Sequence, residues 1–131
     1  AVAACEGMIE RTIEYTQERM AFGQPISKFQ NTRYVLADLH AQTQINKAFC
    51  SQCTTEYDKG ELSTTNASIA KLTTTELQGV VADKCLQLFG GYGYMQEYPI
   101  SRDYVDARIQ RIYGGTSEIM KEIISRDILG R

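Results

Sequence analysis

Three short stretches of this sequence combine residue types that could hold an anionic cofactor. The first is Glu18-Arg19-Met20-Ala21-Phe22-Gly23-Gln24-Pro25-Ile26, with Phe29-Gln30 close behind. A guanidinium offers paired, permanently charged donors that match the oxygens of a pyrophosphate, and an aromatic such as Phe22 could cover a flat ring. The plainer reading of Arg19 is a cation at a helix C-terminus, where it meets the negative end of the helix dipole. The second stretch is Gln87-Leu88-Phe89-Gly90-Gly91-Tyr92-Gly93-Tyr94. It is not a dinucleotide fingerprint, because no strand precedes it and the G-x-G-x-x-G spacing is missing. Its glycines either end a helix or leave room for a cofactor to approach the backbone. The third is Ile112-Tyr113-Gly114-Gly115-Thr116-Ser117-Glu118-Ile119. It reads as a turn and a helix start, with Thr116 or Ser117 as the cap and Glu118 in the first turn, where negative charge is favoured. The same helix start could present free amides to a ligand.

The four cysteines suggest less. Cys50 and Cys53 have C-x-x-C spacing, but no second pair follows and His40 is the one histidine. A tetrahedral metal site needs four suitable ligands, so no metal site is assigned. Cys5, Cys50, Cys53 and Cys85 read as reduced thiols on the buried sides of helices.

These motifs must be positioned by helices. Both prolines, Pro25 and Pro99, fall outside the long periodic segments, which favours an all-α chain. A first helix is predicted over about residues 2–20, with Ala4, Met8, Ile9, Ile13 and Tyr15 or Thr16 at helical spacing. Gly23 and Pro25 then stop it and make a turn. A second runs over about 28–59 on a stripe of Val35, Leu39, Gln42, Ile45 or Asn46, Phe49 and Cys53, and Gly60 ends it. A third begins near residues 63–65, where hydroxyls can cap, and reaches about Phe89. Its inward face is predicted as Ile69, Leu72, Thr73, Leu77, Val80, Val81, Lys84, Cys85 and Leu88. A short helix over 100–107 and a last one over 117–129 complete the chain. No strand alternation or internal repeat is present. An antiparallel four-helix bundle is the simplest way to bury these stripes.

With 131 residues, 43% hydrophobic and 23% charged, the chain is an ordinary globular domain of one unit. A net charge of -2 supplies no basic field for a nucleic acid or an anionic membrane. No apolar run approaches the roughly 20 residues that a membrane span needs, and no signal-peptide pattern is present.

Taken together and in order, Arg-x-Ala-Phe-Gly-x-Pro-Ile with Phe-Gln, Gln-x-Phe-Gly-Gly-x-Gly-Tyr with Glu-Tyr-Pro, and Tyr-Gly-Gly-Thr-x-Glu-Ile resemble the C-terminal domain of the acyl-CoA dehydrogenase family. The resemblance covers essentially the whole chain and leans toward the long-chain and isovaleryl branch. It implies a parent subunit whose N-terminal helical and middle β domains are absent here. It also implies FAD as cofactor, acyl-CoA oxidised to 2,3-enoyl-CoA, an electron-transfer flavoprotein as acceptor, and assembly as a dimer or tetramer. The location implied is the cytoplasm of a bacterium or the mitochondrial matrix of a eukaryote. By the same resemblance, Arg19, Phe22 and Gln30 contact FAD, mainly around the adenosine pyrophosphate of a neighbouring subunit's cofactor, and Gln87 and Gly91 touch that same end. Thr116 and Glu118 touch the FAD of their own site, and Tyr113 and Gly115 wall the acyl thioester. The isolated chain is expected to be inactive.

Many members of the family carry the proton-abstracting glutamate directly after the tyrosine matched by Tyr113, where this chain has Gly114. In the branch that has glycine or alanine there, the glutamate lies on the first bundle helix, upstream of where Ala1 would align. Neither Glu6 nor Glu10 falls at that position, so no catalytic residue is assigned. Two other readings remain: a domain of a flavin-dependent acyl-CoA or nitroalkane oxidase, and a cofactor-free helical interaction module.

Overall fold

A computed structural model describes residues 1–130. Its helices are α1 (Val2–Glu18), α2 (Gln30–Asp58), α3 (Thr64–Phe89), α4 (Pro99–Ile109) and α5 (Ser117–Leu129). They form the antiparallel bundle expected. Helix α3 is its axis and packs against each of the other four. Its start follows the hydroxyl prediction: the Ser63 side chain accepts from the Asn66 amide at 3.0 Å. It ends where Gly90 leaves helical geometry, and Gly90–Tyr94 make a tight 3-10 turn. Pro99, which has no amide to lose, opens α4 in its first turn.

The predicted stripes are right in period and partly wrong in phase. Helix α1 buries Cys5, Met8, Ile9, Thr12 and Thr16, whereas Ala4 and Ile13 face outward. Helix α2 buries Thr32, Leu39, Thr43 and Cys53, and exposes Gln42 and Ile45. In α3, Leu77, Val81 and Cys85 lie inside as predicted, while Thr73, Val80 and Lys84 are exposed and Thr74, Thr75 and Gln78 take the buried places. For the threonines the cause is the same. Buried threonines satisfy their own hydroxyls on the preceding turn: Thr12 donates to Met8 O at 2.6 Å, Thr43 to Leu39 O at 2.8 Å and Thr75 to Lys71 O at 2.8 Å. A hydroxyl bonded in this way enters a core with no unmet polar group.

The turn after α1 also differs from expectation. Met20–Ala21 (β1) and Gln24–Pro25 (β2) pair antiparallel, Met20 with Pro25 and Ala21 with Gln24. Two residues per strand are too few to leave an alternation in the sequence. Phe22 and Gly23 form the loop with φ of 50° and 80°, the left-handed backbone of a tight hairpin turn.

Candidate functional site

The C-terminal ends of α1 and α3 meet on one side of the bundle and enclose a groove of about 570 Å³. Arg19 caps α1 in an extended conformation, and its carbonyl accepts from the Ile26 amide at 2.9 Å, which folds the hairpin back over the helix end. Gln87, Gly90, Gly91 and Tyr92 supply the opposite wall. The floor is aromatic. Tyr15 stacks on Phe89 at 4.0 Å between centroids, Tyr92 stacks on Tyr98 at 5.1 Å, and the Arg19 guanidinium carbon lies 5.3 Å from the Tyr92 centroid. The Tyr15 hydroxyl donates to Phe89 O at 3.3 Å, and burial raises its pKa above the ordinary tyrosine value.

Arg19 has no carboxylate within ion-pair distance among the described residues. Its charge therefore stands over a flat aromatic face beside a backbone that is open: a Cβ placed on Gly91 would meet nothing within 4 Å. Together these features fit a diphosphate with a planar ring attached, since paired donors, a stacking surface and close backbone approach are all present. Arg19, Gln87 and Gly91 are thus brought together. Phe22 and Gln30 do not line the groove. Phe22 is 96% exposed at the hairpin tip, its ring edge-on to Phe29 at 6.3 Å. Gln30 is exposed in the first turn of α2 and donates to the Tyr34 hydroxyl at 2.6 Å.

The other predicted residues gather elsewhere, where α4 turns into α5. Thr116 is the cap of α5, its side chain accepting from the Ile119 amide at 3.4 Å. Glu118 is exposed in the first turn, and hydrogen bonds from its own amide and from Thr116 hold its carboxyl below the usual glutamate range. The exposed Tyr113 donates to Gln110 Oε1 at 2.8 Å. Gly114 and Gly115 both have positive φ, 63° and 101°. Behind this turn, Glu76 of α3 accepts from the Ser117 hydroxyl at 2.6 Å and from Arg111 at 3.0 Å, and the Lys71 ammonium donates to the Gly115 carbonyl. The Ser117 hydroxyl, and Arg111 after it, hold Glu76 below the ordinary glutamate value despite partial burial.

From Glu76 to Gln87 the rise along α3 is about 16 Å, so the two clusters sit on different parts of the bundle. No side chain occupies the position after Tyr113. The two carboxylates of this cluster, Glu76 and Glu118, have lowered proton affinity, the reverse of what a general base poised near neutrality shows. The aromatic floor and the Lys71–Glu76–Arg111 support were missed in the sequence. Tyr92 lay in plain view inside the glycine run, whereas Lys71 and Glu76 carry no spacing signal on a long helix. The cysteines are free thiols, and burial pushes Cys5 up to about 11, where thiolate chemistry is suppressed.

Comparison with known proteins gives a consistent picture. Residues 1–129 match the family model "Acyl-CoA dehydrogenase, C-terminal domain". The chain is 46% identical over 129 residues to the mitochondrial long-chain specific acyl-CoA dehydrogenase of Rattus norvegicus, spanning 98% of this chain and 30% of that protein. Among solved structures, an acyl-CoA dehydrogenase from Geobacillus kaustophilus superposes with a TM-score of 0.95 at 38% identity, covering 97% of this chain and 33% of the other. A glutaryl-CoA dehydrogenase from Mycobacterium smegmatis in complex with FADH2 superposes with a TM-score of 0.95 at 27% identity, covering 99% and 34%. The chain thus spans about a third of the length of the relatives it matches.

Proposed function

The chain belongs to the acyl-CoA dehydrogenase family, as its C-terminal domain, and on that premise we propose that it is the FAD-holding and subunit-assembling part of an enzyme oxidising acyl-CoA to 2,3-enoyl-CoA. The observation that carries this reading is the open groove at the ends of α1 and α3, where Arg19, with no carboxylate partner among the described residues, stands over Tyr92 beside the bare backbone of Gly91. In this proposal Arg19, Gln87 and Gly91 receive the adenosine pyrophosphate end of a neighbouring subunit's FAD, with Phe22 and Gln30 at its margin. Thr116 and Glu118 meet the FAD of their own site, and Tyr113 and Gly115 form the wall beside the acyl thioester. The separation of the two clusters along α3 supports service to two different cofactors in an oligomer. When bound, the flavin supplies the hydride acceptor; this chain's residues bind, orient and wall off.

The proposal extends to the parts outside this sequence. The parent subunit carries an N-terminal helical and a middle β domain, and its electrons pass to an electron-transfer flavoprotein. The reading is tested on the full-length parent by Arg19→Ala. Losing one charge-assisted phosphate contact costs on the order of 2 to 5 kcal/mol, whereas an exposed arginine at a helix end contributes well under about 1 kcal/mol to the fold. Flavin content after extensive dialysis should therefore drop while far-ultraviolet circular dichroism stays unchanged. Full flavin occupancy in the variant refutes the clamp.

A further inference from the structure

We propose that Lys71 is a positioning residue: from α3 it holds the Gly115 carbonyl and so fixes the single conformation in which the 113–116 turn faces flavin and acyl thioester. This rests on the reading of that turn given under Proposed function. The two adjacent glycines at positive φ make this the least restrained backbone in the cluster. Its ends are tied. The Tyr113 amide donates to Ile109 O at 3.1 Å, and Ser117 donates through its amide to Arg111 O at 3.2 Å and through its hydroxyl to Glu76 at 2.6 Å.

Between those ties, the amides of Gly114, Gly115 and Thr116 donate to no acceptor among the described residues, and the Gly115 carbonyl is held by Lys71. An ammonium–carbonyl bond is charge-assisted and roughly twice as strong as a neutral one. Lys71 is itself half-buried, two turns into α3, the helix that packs against all four others. On the inner side the turn already touches Met120, whose Cε would lie 2.6 Å from a Cβ on Gly115. One peptide plane then sets the chemistry. With the Gly115 carbonyl drawn toward α3, the planar trans peptide forces the Thr116 N–H to point the opposite way, outward from the bundle. Lys71 thereby aims a free donor at the side where the proposed ligands lie. Without the ammonium, that plane can rotate about the Gly115 ψ and Thr116 φ torsions, the first of them a glycine's.

The test uses the full-length flavoenzyme with Lys71→Met, Lys71→Gln and Lys71→Arg, reduced anaerobically in a stopped-flow spectrometer by palmitoyl-CoA, a probe chosen because the 46% identical rat relative is long-chain specific. Removing the donor should lower the limiting rate of flavin reduction by roughly ten- to a hundredfold, the scale of a small misplacement near reacting atoms. FAD content and the apparent Kd for palmitoyl-CoA should stay near parental. The arginine variant keeps a long cationic donor and should recover most of the rate. A purely structural lysine would instead lower melting temperature and FAD content together and leave the reduction rate per bound flavin unchanged, and that result overturns the proposal. If Lys71→Met does not fold, Lys71→Gln, of similar helix preference and without charge, decides on the same criteria. A parent that holds no FAD overturns both readings. A parent reduced by palmitoyl-CoA whose Met and Gln variants are reduced equally fast overturns the role of Lys71 alone.

Discussion

Phe22 is the one non-glycine residue with positive φ among the described residues, and its ring is almost fully in solvent. A bulky L-residue in the left-handed region costs about 1 to 2 kcal/mol, and a ring 96% exposed and edge-on to Phe29 buries little to offset it. Strain kept at an exposed aromatic is what a binding position shows, not a packing one. Replacing Phe22 with Asn gives the Asn-Gly pair that this hairpin turn prefers. Phe22→Asn should therefore stabilise the 131-residue chain by up to about 1 kcal/mol in urea unfolding. In the full-length parent the same change should release FAD faster, because an aromatic contact worth roughly 0.5 to 1.5 kcal/mol is gone. If the asparagine variant unfolds at lower urea than the parent, the strain is not real; if it holds FAD equally well, the strain has another purpose.

At the scale of elements, α5 and the turn before it are fastened to α3 by polar groups: Ser117 and Arg111 both converge on Glu76. Glu76 has a folded pKa below its ordinary 4.5. A carboxyl so depressed stabilises the fold above its unfolded pKa, and that contribution is lost as pH falls from about 4.5 through the lower folded value. Glu118 and Glu56 are shifted the same way, so the contribution of Glu76 is best isolated by difference. The stability of the parent chain should decline more steeply below pH 4.5 than that of Glu76→Gln, and the two curves should run parallel above about pH 6. The difference should be small and salt-sensitive, because the Glu76 side chain is 41% exposed. Parallel curves through the acid range would remove Glu76 from the fastening of α5.

None of that fastening was legible beforehand, and the reason is physical. Helix existence, the Ser63 and Thr116 caps and the ends at Gly60 and Phe89 follow from local chemistry and were read correctly. Apolar periodicity picks out Ile13, Ile45 and Val80 for the buried faces and gives no signal for Thr12, Thr43 and Thr75, which the fold buries. The resemblance already implies that Arg19 and Gln87 meet one end of a cofactor and Glu118 another site; what only the fold adds is the groove that Arg19 and Gln87 line and the length of α3 that separates it from the α5 start. A lysine and a glutamate on a long helix look like solvated surface until the turn they support is in view.

At the scale of the whole molecule, the bundle leaves several large apolar side chains outward: Val105 on α4, and Ile119, Ile128 and Leu129 on α5. Such surface is what a domain covered by other parts of a subunit would carry, in keeping with a chain that spans a third of its relatives. The chemistry proposed for the parent also needs a part this bundle does not provide. A base must come within hydrogen-bond reach of the proton it removes, and the residue after Tyr113 is glycine. The resemblance to the branch with glycine there implies a glutamate on the first bundle helix, upstream of Ala1, that would approach the same α-carbon from the other side. Replacing it with glutamine in the full-length parent should abolish flavin reduction by its acyl-CoA substrate while FAD stays bound. The structure shows that position 114 could take the carboxylate over: a Cβ built there meets nothing within 4 Å. The obstacle is its φ of 63°, which adds about 1 to 2 kcal/mol for an L-residue. Adding Gly114→Glu to the inactive variant should therefore restore flavin reduction only in part, since a base held in a strained turn sits imperfectly and loses much of its effect. Two results count against this account. If the upstream glutamine variant reduces at the parental rate, the base was never there. If the double variant regains nothing while its FAD content and melting temperature match the single variant's, the two carboxylate positions do not converge on one proton.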